Sequence, residues 1–369
     1  MTTTVKNIII GFGKAGKTLA GYLGSIGEDT ILIEKSKEMY GGTCINVGCI
    51  PSKKLATKAL RKQYSNEDAS SYYTKSVQEK KALIAALNTA NYNKVDSVEK
   101  TQIIDGTARF VDDHTFLPRE DEDVAQAVKE QLEALGVTFN LGVQLKAVHQ
   151  EGGKAVVEAT TGEGAPVAFT TDAVLVATGR RANVQGLDLD KAGVELTERG
   201  AIKVNEFLQT NVPHIFAMGD VNGGPQFTFV SLDDFRIVKR FLAGDTTYST
   251  KQRAKFPTAT FINPPLASVG LNEKQAKEAG IEVKVAKLPA MAIPKAKILG
   301  NQVGFYKVLV DASTNQIVGA TLFAEEAHEV INIIATAMNA NLPYTVLRDQ
   351  IYTHPTMAEA LNDVFGLIK

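Results

Sequence analysis

The chain has 369 residues, 44% of them hydrophobic and 22% charged, and its 40 basic and 41 acidic side chains give a net charge of −1. This length predicts two or three domains, and the balanced charge without a basic block argues against nucleic acid as a partner. No apolar run is long enough for a membrane span or a signal-peptide core, so we expect a cytoplasmic protein that makes no membrane contact.

The predicted elements alternate between strands and helices along the chain. The first are a strand at residues 5–10, a helix at 14–26, a strand at 30–33 and helices at 42–62 and 75–92. Then come short strands at 102–104, 107–111 and 114–116, a helix at 121–135, β-rich sequence over 137–169 and a strand at 173–177. Beyond residue 256 the elements are strands at 258–261, 303–311 and 316–323 and a helix at 325–339. Strands precede helices in this last region, which indicates a separate α+β domain.

Three glycines follow the first predicted strand. Gly11 permits a tight turn, Gly13 lets a pyrophosphate approach the backbone, and Gly16 allows the helix to pack closely on the strand. The N-terminus of the helix offers free N–H groups to phosphates. Glu34 ends the second strand, where an acid can accept hydrogen bonds from ribose hydroxyls. Glycine turns also occur for packing alone, but this combination favours a dinucleotide-binding unit without saying which dinucleotide it binds.

The chain contains only two cysteines, Cys44 and Cys49, and they lie just after this unit. Cysteines five residues apart near a helix start can close a small disulfide ring. A helix N-terminus and nearby cations lower the pKa of a thiol and favour the reactive thiolate. The alternative is a pair of buried thiols that serve only as small hydrophobic side chains.

The stretch from Gly41 to Cys49, read with the upstream glycines, resembles the class I pyridine nucleotide–disulfide oxidoreductases. That family includes dihydrolipoamide dehydrogenase, glutathione reductase and mercuric reductase. The resemblance implies an α/β fold with a Rossmann-like FAD-binding domain in two segments and a C-terminal α+β dimerisation domain. It implies FAD as the bound cofactor and NADPH or NADH as the electron donor. The implied domains are residues 1–116 and 179–254 for FAD, 117–178 for a remnant of the NAD(P)-binding domain, and 255–369 for dimerisation.

The resemblance also implies a role for each matching residue of the first FAD segment. Cys49 would be the thiol beside the flavin, in charge-transfer contact when reduced, and Cys44 the interchange thiol that attacks the substrate. Lys53 would lie near the flavin N5 atom, and Ala108 would contact the adenine end through its backbone. The other matching cofactor residues of this segment are Gly11, Gly13, Gly16, Glu34, Gly42 and Thr43.

Further matches lie in the second FAD segment. Gly179 ends a predicted strand in the manner of the family's glycine turn near the cofactor. Gly219 and Asp220 end another predicted strand, and Asp220 would hydrogen-bond the ribityl chain. Thr228 and the helix after it would point backbone N–H groups at the flavin pyrimidine ring, where negative charge develops on reduction. A glycine–aspartate pair after a strand is also a common turn, but the order of the motifs favours FAD.

His354 and Glu359 match the acid–base pair that the family supplies from the second subunit. Thiol–disulfide exchange needs a deprotonated attacking sulfur and a protonated leaving sulfur. A histidine held by a carboxylate can provide both near neutral pH. The match implies an active site that forms only in a homodimer. The other histidines show no metal-ligand spacing, so no metal site is predicted.

One part of the family pattern is absent. The glycine motif that would bind NADH or NADPH does not occur between residues 116 and 177, and residues 117–121 resemble the far side of that unit. The loss amounts to several tens of residues. Three explanations stay open: a stretch omitted from the sequence, an internal deletion in the gene, or an electron source other than NAD(P)H. If the deletion is real, we predict weak or absent reduction by NAD(P)H with the thiol half intact.

Three stretches point to a narrower group within the family. Residues 10–17, 226–237 and 347–354 resemble the bacterial reactive-chlorine-resistance reductases, which are associated with reducing hypothiocyanous acid and with defence against oxidants. The resemblance implies a small-molecule oxidant as substrate. A low-pKa thiolate at Cys44 would attack its electrophilic sulfur, and Cys49 would resolve the adduct as a disulfide. Two alternatives stay open: a dihydrolipoamide dehydrogenase of central metabolism, and a non-catalytic flavoprotein remnant.

Overall fold

The chain folds into two units, each with its own core, in the computed structural model. The first unit draws on residues 1–112 and 177–253, and the second on residues 113–176 and 254–369. The structure describes residues 6–34, 36–62, 64–96, 101–104, 117, 119–135, 137, 139–141, 143–161, 163–171, 174 and 180–369. The predicted strands at 107–111 and 114–116, and most of that at 173–177, lie outside the described residues.

A parallel sheet in the order β1-β2-β3 forms the centre of the first unit. Its strands are β1 (Asn7–Ile10), β2 (Thr30–Ile33) and β3 (Thr101–Ile104). Helix α1 (Lys14–Ser25) connects β1 to β2, which confirms the predicted strand–helix–strand order. The helices of this unit after β2 are α2 (Thr43–Asn46), α3 (Cys49–Lys62), α4 (Ala69–Asp96) and α6 (Thr228–Leu242).

The core of the first unit lies where α1 meets the sheet and α6. Leu19 and Leu23 of α1 are buried in one cluster with Leu32 of β2 and Ile237 of α6. A Cβ added at Gly16 would lie 2.2 Å from the carbonyl oxygen of Gly11, so this close approach of helix to strand requires glycine, as predicted. This packing holds the N-terminus of α1 beside the carboxyl ends of the strands.

Two predictions for the first unit are wrong in detail. The single helix predicted at residues 42–62 is two helices, because the chain turns at Val47 and Gly48, where the Gly48 N–H donates to the Thr43 carbonyl at 2.7 Å. The strand predicted to end at Gly219 and Asp220 is only an isolated bridge between Gln209 and Phe216. A single 3-10 turn, Gly219–Asn222, follows that bridge.

A mixed arrangement of helices around antiparallel strands makes up the second unit. One sheet has the order β4-β5-β6, with strands β4 (Gln144–Glu151), β5 (Lys154–Thr160) and β6 (Pro166–Thr171). The other has the order β7-β8-β11-β10-β9, with strands β7 (Thr258–Thr260), β8 (Leu266–Gly270), β9 (Val283–Pro289), β10 (Phe305–Asp311) and β11 (Ile317–Phe323). The helices are α5 (Glu122–Ala134), α7 (Glu273–Glu278), α8 (Pro294–Leu299), α9 (Ala327–Asn339), α10 (Tyr344–Asp349) and α11 (Ala360–Gly366).

The segment around α5 packs against the five-stranded sheet. Val124 and Val128 of α5 are fully buried with Phe305 and Phe323. At the start of α5, the buried Lys307 ammonium lies 2.9 Å from Asp121 and 2.9 Å from Asp123, and it also contacts Glu273. These acids raise the pKa of Lys307 against the opposing effect of burial, which keeps the lysine charged. The boundaries proposed for residues 117–178 as a domain remnant stay a prediction.

None of the helices in the described part of the chain has the length and apolar character needed to cross a membrane.

Replacing Lys307 with Met is expected to destabilise the second unit by about 2 kcal/mol, because the substitution leaves the mostly buried Asp121 carboxylate without its cation. Urea unfolding followed by far-UV circular dichroism measures the loss. Lys277→Met, at an exposed site on α7, is the matched control and is expected to stay within about 0.5 kcal/mol of the parent. Equal effects of the two variants would show that the ion cluster contributes nothing.

Candidate active site

The glycine turn after β1 leaves an open approach to the N-terminus of α1. No atom lies within 4 Å of a Cβ added at Gly11 or Gly13. Gly13 is the N-cap residue of α1, and no side chain caps the first turn of this helix. Free N–H groups and the positive end of the helix dipole at such a site favour phosphate. The Phe12 N–H donates to Glu34 at 2.8 Å, which fixes this carboxylate beside the turn.

The cysteine segment packs directly on this turn. A Cβ added at Gly42 would lie 2.6 Å from the Cα of Gly13, and Gly42 also has φ 76°, which a side chain would strain. Thr43 is exposed and begins α2, with Cys44 next to it. The structure therefore brings the predicted pyrophosphate site and the predicted redox segment into backbone contact.

Cys44 and Cys49 are half-buried free thiols on the neighbouring helices α2 and α3. Burial raises the pKa of the Cys44 thiol, and the adjacent Cys49 raises it further, while Thr228 and the Lys17 ammonium lower it. The predicted low-pKa thiolate at Cys44 is therefore wrong for this arrangement. The physical reason is desolvation: the helix start and the cation do not offset the removal of the sulfur from water.

Lys17 is a residue of this site that the sequence analysis did not assign. Burial lowers its pKa to about 8, Lys14 and Lys94 lower it further, and a negative charge on Cys44 would raise it. Its ammonium contacts the side-chain oxygen of Asn91 on α4. The only sequence signal for Lys17 was its place in the stretch at residues 10–17. Its contact with α4 joins distant parts of the chain, so the local sequence could not predict it.

The Cys49 side chain lies beside the first residue of α6. Its sulfur is 3.9 Å from the hydroxyl oxygen of Thr228, the first residue of that helix. Phe227 is the N-cap residue, and no side chain caps α6. The Cys49 thiol and a set of free backbone N–H groups therefore lie side by side at the start of α6, as expected for residues that face the reducible ring of a flavin.

The Gly219–Asp220 pair lies in the 3-10 turn before α6. Asp220 is half-exposed and accepts a hydrogen bond from Arg180 at 3.2 Å, and the same guanidinium donates to the Gln226 carbonyl at 3.2 Å. Burial raises the pKa of Asp220, and Arg180 opposes this shift. Arg180 was missed by sequence analysis because its partners lie 40 and 46 residues away.

The other predicted cofactor residues are less informative. Lys53 lies in the first half of α3, is partly buried, and is engaged in an interaction. Ala108 and Gly179 lie outside the described residues. The roles assigned to all of these positions stay predictions.

His354 and Glu359 form a pair in the second unit. The His354 Nδ1 lies 2.8 Å from a Glu359 carboxylate oxygen, and the side chains are 72% and 16% exposed. A ring nitrogen held in this way donates its proton to the carboxylate, so Nε2 is free to exchange protons with an outside partner. The predicted pairing is confirmed as a contact, and its catalytic role stays a prediction.

The residues present fit a flavin dinucleotide, and the described residues between 117 and 174 do not form a second nucleotide-binding unit. The open glycine turn, the fixed acid, the thiol pair and the uncapped start of α6 provide the donors and the space that FAD needs. Between residues 117 and 174, by contrast, the described residues form α5 and an antiparallel sheet rather than a strand, glycine turn and helix. The thiol steps at Cys44 and Cys49 therefore do not involve NAD(P)H.

Two family models match the chain. The model for the pyridine nucleotide-disulphide oxidoreductase dimerisation domain matches residues 256–365, and the model for pyridine nucleotide-disulphide oxidoreductase matches residues 110–234. The family's dimerisation domain thus coincides with the five-stranded sheet and its helices.

Among curated proteins, the chain is 34% identical to the probable pyridine nucleotide-disulfide oxidoreductase RclA of Escherichia coli (strain K12), over 98% of this chain and 99% of that protein. It is 28% identical to the dihydrolipoyl dehydrogenase of Mycobacterium tuberculosis (strain ATCC 25618 / H37Rv), over 98% and 97%. The alignment with RclA runs over 448 positions, so at least 79 of them have no counterpart in this 369-residue chain. This excess agrees with the predicted loss of several tens of residues.

Solved structures give the same relationship. The HOCl-induced flavoprotein disulfide reductase RclA from E. coli superimposes with a TM-score of 0.89 at 33% identity, covering 98% of this chain and all (100%) of that chain. A Cu(II) complex of the same reductase gives a TM-score of 0.89 at 33% identity, covering 99% of this chain and 100% of that chain. With this identity over nearly all of both sequences, the chain belongs to the FAD-dependent pyridine nucleotide-disulfide oxidoreductases.

Proposed function

We propose that this flavoprotein disulfide reductase acts as a homodimer and reduces a small electrophilic oxidant, with hypothiocyanous acid as the substrate. The observation that carries the proposal is the place of the two thiols. Cys49 lies against the start of α6, where a flavin ring would be held, and Cys44 lies beside it on α2. Electrons can then pass from FAD to Cys49 and on to a substrate that meets Cys44.

Each thiol has a separate step. The Cys44 thiolate attacks the sulfur of hypothiocyanous acid, a Cys44 sulfenyl thiocyanate forms, and the departing hydroxide takes a proton to become water. The Cys49 thiolate then attacks the Cys44 sulfur, closes the disulfide and releases thiocyanate. In sum, two thiols and one hypothiocyanous acid give one disulfide, thiocyanate, water and a proton. A bound FAD would supply the electron pair that reopens the disulfide.

Proton transfer in these steps falls to His354 and Glu359 of the second subunit. Because burial raises the pKa of Cys44, the thiol form prevails near neutral pH and a base is needed to generate the thiolate. The exposed imidazole of His354, oriented by Glu359, can accept the thiol proton and later give it to the departing hydroxide. Lys17 favours the thiolate electrostatically.

Several observations support the oxidant over other substrates. RclA is 34% identical over 98% of this chain, and its solved structure is described as that of an HOCl-induced flavoprotein disulfide reductase. The thiols are only half-buried, so a small molecule can reach them. A second candidate is dihydrolipoamide, because the mycobacterial dihydrolipoyl dehydrogenase aligns over 98% of this chain. Reduction of the protein by dihydrolipoamide with turnover to NADH would favour that reading.

The thiol mechanism predicts distinct stoichiometries for the two cysteine variants. Pre-reduced protein mixed anaerobically with one equivalent of hypothiocyanous acid is expected to lose two thiols and form the Cys44–Cys49 disulfide. Cys49→Ser is expected to stop at the Cys44 adduct, because the resolving thiol is gone. Cys44→Ser is expected to react at least about tenfold more slowly, because Cys49 faces the flavin site. Rapid-quench thiol counting with mass spectrometry distinguishes these products.

Equal reaction rates for the Cys44→Ser and Cys49→Ser variants would contradict the assignment of Cys44 as the attacking thiol. A parent protein that reacts with reduced lipoamide but not with hypothiocyanous acid would exclude the oxidant and leave the dihydrolipoamide reading.

Removing the cation near Cys44 is expected to shift its pH dependence upwards. In a Cys49→Ser background, Lys17→Met removes the charge that lowers the pKa of Cys44, so alkylation by iodoacetamide at neutral pH becomes roughly fivefold slower, which corresponds to about 1 kcal/mol. The rate recovers at higher pH, where the thiol ionises without help. Alkylation rates measured across the pH range test this shift.

Lys81→Met, at an exposed site on α4, is the matched control and is expected to leave the alkylation profile of Cys44 unchanged. If Lys17→Met and Lys81→Met gave the same profile, the Lys17 ammonium would have no influence on the thiol.

A further inference from the structure

Asp234 is a buried carboxylate on α6 to which the proposed chemistry assigns nothing. It lies in the stretch at residues 226–237, and its side chain is only 2% exposed. A carboxylate taken out of water is costly unless donors surround it. The hydrogen-bond partners of Asp234 therefore indicate which groups its charge holds in place.

Three donors surround this carboxylate. One oxygen accepts hydrogen bonds from the Gly219 N–H at 2.7 Å and from the Asn222 side-chain amide at 3.1 Å. The other oxygen accepts from the Arg253 guanidinium. Hydrogen bonds to a charged acceptor are about twice as strong as those between neutral groups.

Gly219 and Asn222 are the two ends of the 3-10 turn that carries Asp220. A single oxygen of Asp234 thus holds both ends of this turn. Gly219 has φ 76°, and a Cβ added there would lie 2.9 Å from the Ser231 hydroxyl, so the turn sits directly on α6. The position of Asp220 relative to the start of α6 depends on this attachment.

We propose that Asp234 is a positioning residue of the flavin site, which fixes Asp220 by holding both ends of the turn at residues 219–222 against α6. The inference rests on the proposed role of Asp220 toward the ribityl chain. Asp234 does not touch the cofactor and acts only through Asp220. The Arg253 guanidinium holds the other oxygen of the Asp234 carboxylate in place.

Asp233 provides a matched control for a merely structural role. It accepts from the same guanidinium, at 2.8 Å from the Arg253 Nε, and it accepts from the Tyr248 hydroxyl at 2.8 Å instead of from the turn. Asp233→Asn and Asp234→Asn each remove one charge next to Arg253. Only Asp234→Asn weakens the attachment of Gly219 and Asn222.

The test is a double-mutant cycle on FAD binding. Apoprotein is titrated with FAD, and the dissociation constant is measured for the parent, Asp220→Asn, Asp234→Asn, the double variant and Asp233→Asn. We expect Asp220→Asn and Asp234→Asn each to weaken binding roughly tenfold, or about 1.4 kcal/mol. The double variant is expected to bind about as weakly as Asp220→Asn alone, because Asp234 acts through Asp220. Asp233→Asn is expected to stay within about twofold of the parent.

A second readout separates positioning from stability. The visible circular dichroism of the bound flavin reports the asymmetry around its ring and ribityl chain, and we expect Asp220→Asn and Asp234→Asn to change it in the same direction. If Asp234→Asn apoprotein does not fold, Asn222→Ala replaces it in the cycle. That variant releases one end of the turn and leaves the Asp234–Arg253 pair intact, with an expected loss of roughly threefold.

The outcomes are distinguishable. If the penalties of Asp234→Asn and Asp220→Asn add in full, Asp234 has only a structural role and the inference is overturned. If Asp220→Asn weakens binding but Asp234→Asn does not, the inference falls and the proposed role of Asp220 stands. If Asp220→Asn itself leaves FAD affinity unchanged, both are overturned.

Discussion

The close contact between Gly42 and Gly13 is the constraint on which the rest of the site depends. With 2.6 Å between the position of a Cβ at Gly42 and the Cα of Gly13, nothing larger than glycine can bring these two backbones together. The contact places the thiol segment beside a turn whose free N–H groups suit a pyrophosphate. One cofactor can therefore be held at one end by the glycine turn and meet the thiols at the other. A larger side chain at Gly42 would push the thiol segment away from the glycine turn. The thiols and the cofactor site would then be separated before either was disrupted by itself.

The proposed thiol chemistry and the entry of electrons into the flavin involve different parts of the chain. The thiols, the start of α6 and the 219–222 turn all belong to the first unit, and the acid–base pair belongs to the second. What the described residues lack is a second strand–glycine–helix unit, and the alignment with RclA leaves at least 79 positions unmatched. A chain of this kind would need reducing equivalents from a donor that reaches the flavin or the disulfide directly, such as a dithiol.

Local patterns predicted those parts of the fold that depend on local sequence. The strand–helix–strand at the N-terminus follows from a short motif and is confirmed, and the contact of His354 with Glu359 is confirmed as well. Strand β8 was missed because it contains small residues, and β9 was missed although its buried side chains alternate along the strand. The roles of Lys17, Arg180 and Asp234 could not be found, because their partners come from distant parts of the chain. The pKa of Cys44 was predicted in the wrong direction because burial cannot be read from a helix start.

Anaerobic titration of the FAD-loaded protein, with a dithiol and separately with NADPH, tests the proposed electron exchange between the thiols and the flavin. The account predicts that the dithiol changes the visible spectrum of the flavin, since electrons pass from Cys44 and Cys49 to the ring. It also predicts that the same concentration of NADPH leaves the spectrum almost unchanged. A bound flavin that does not respond to the dithiol would contradict the proposed thiol–flavin exchange. Rapid bleaching by NADPH would contradict the absence of a pyridine-nucleotide path.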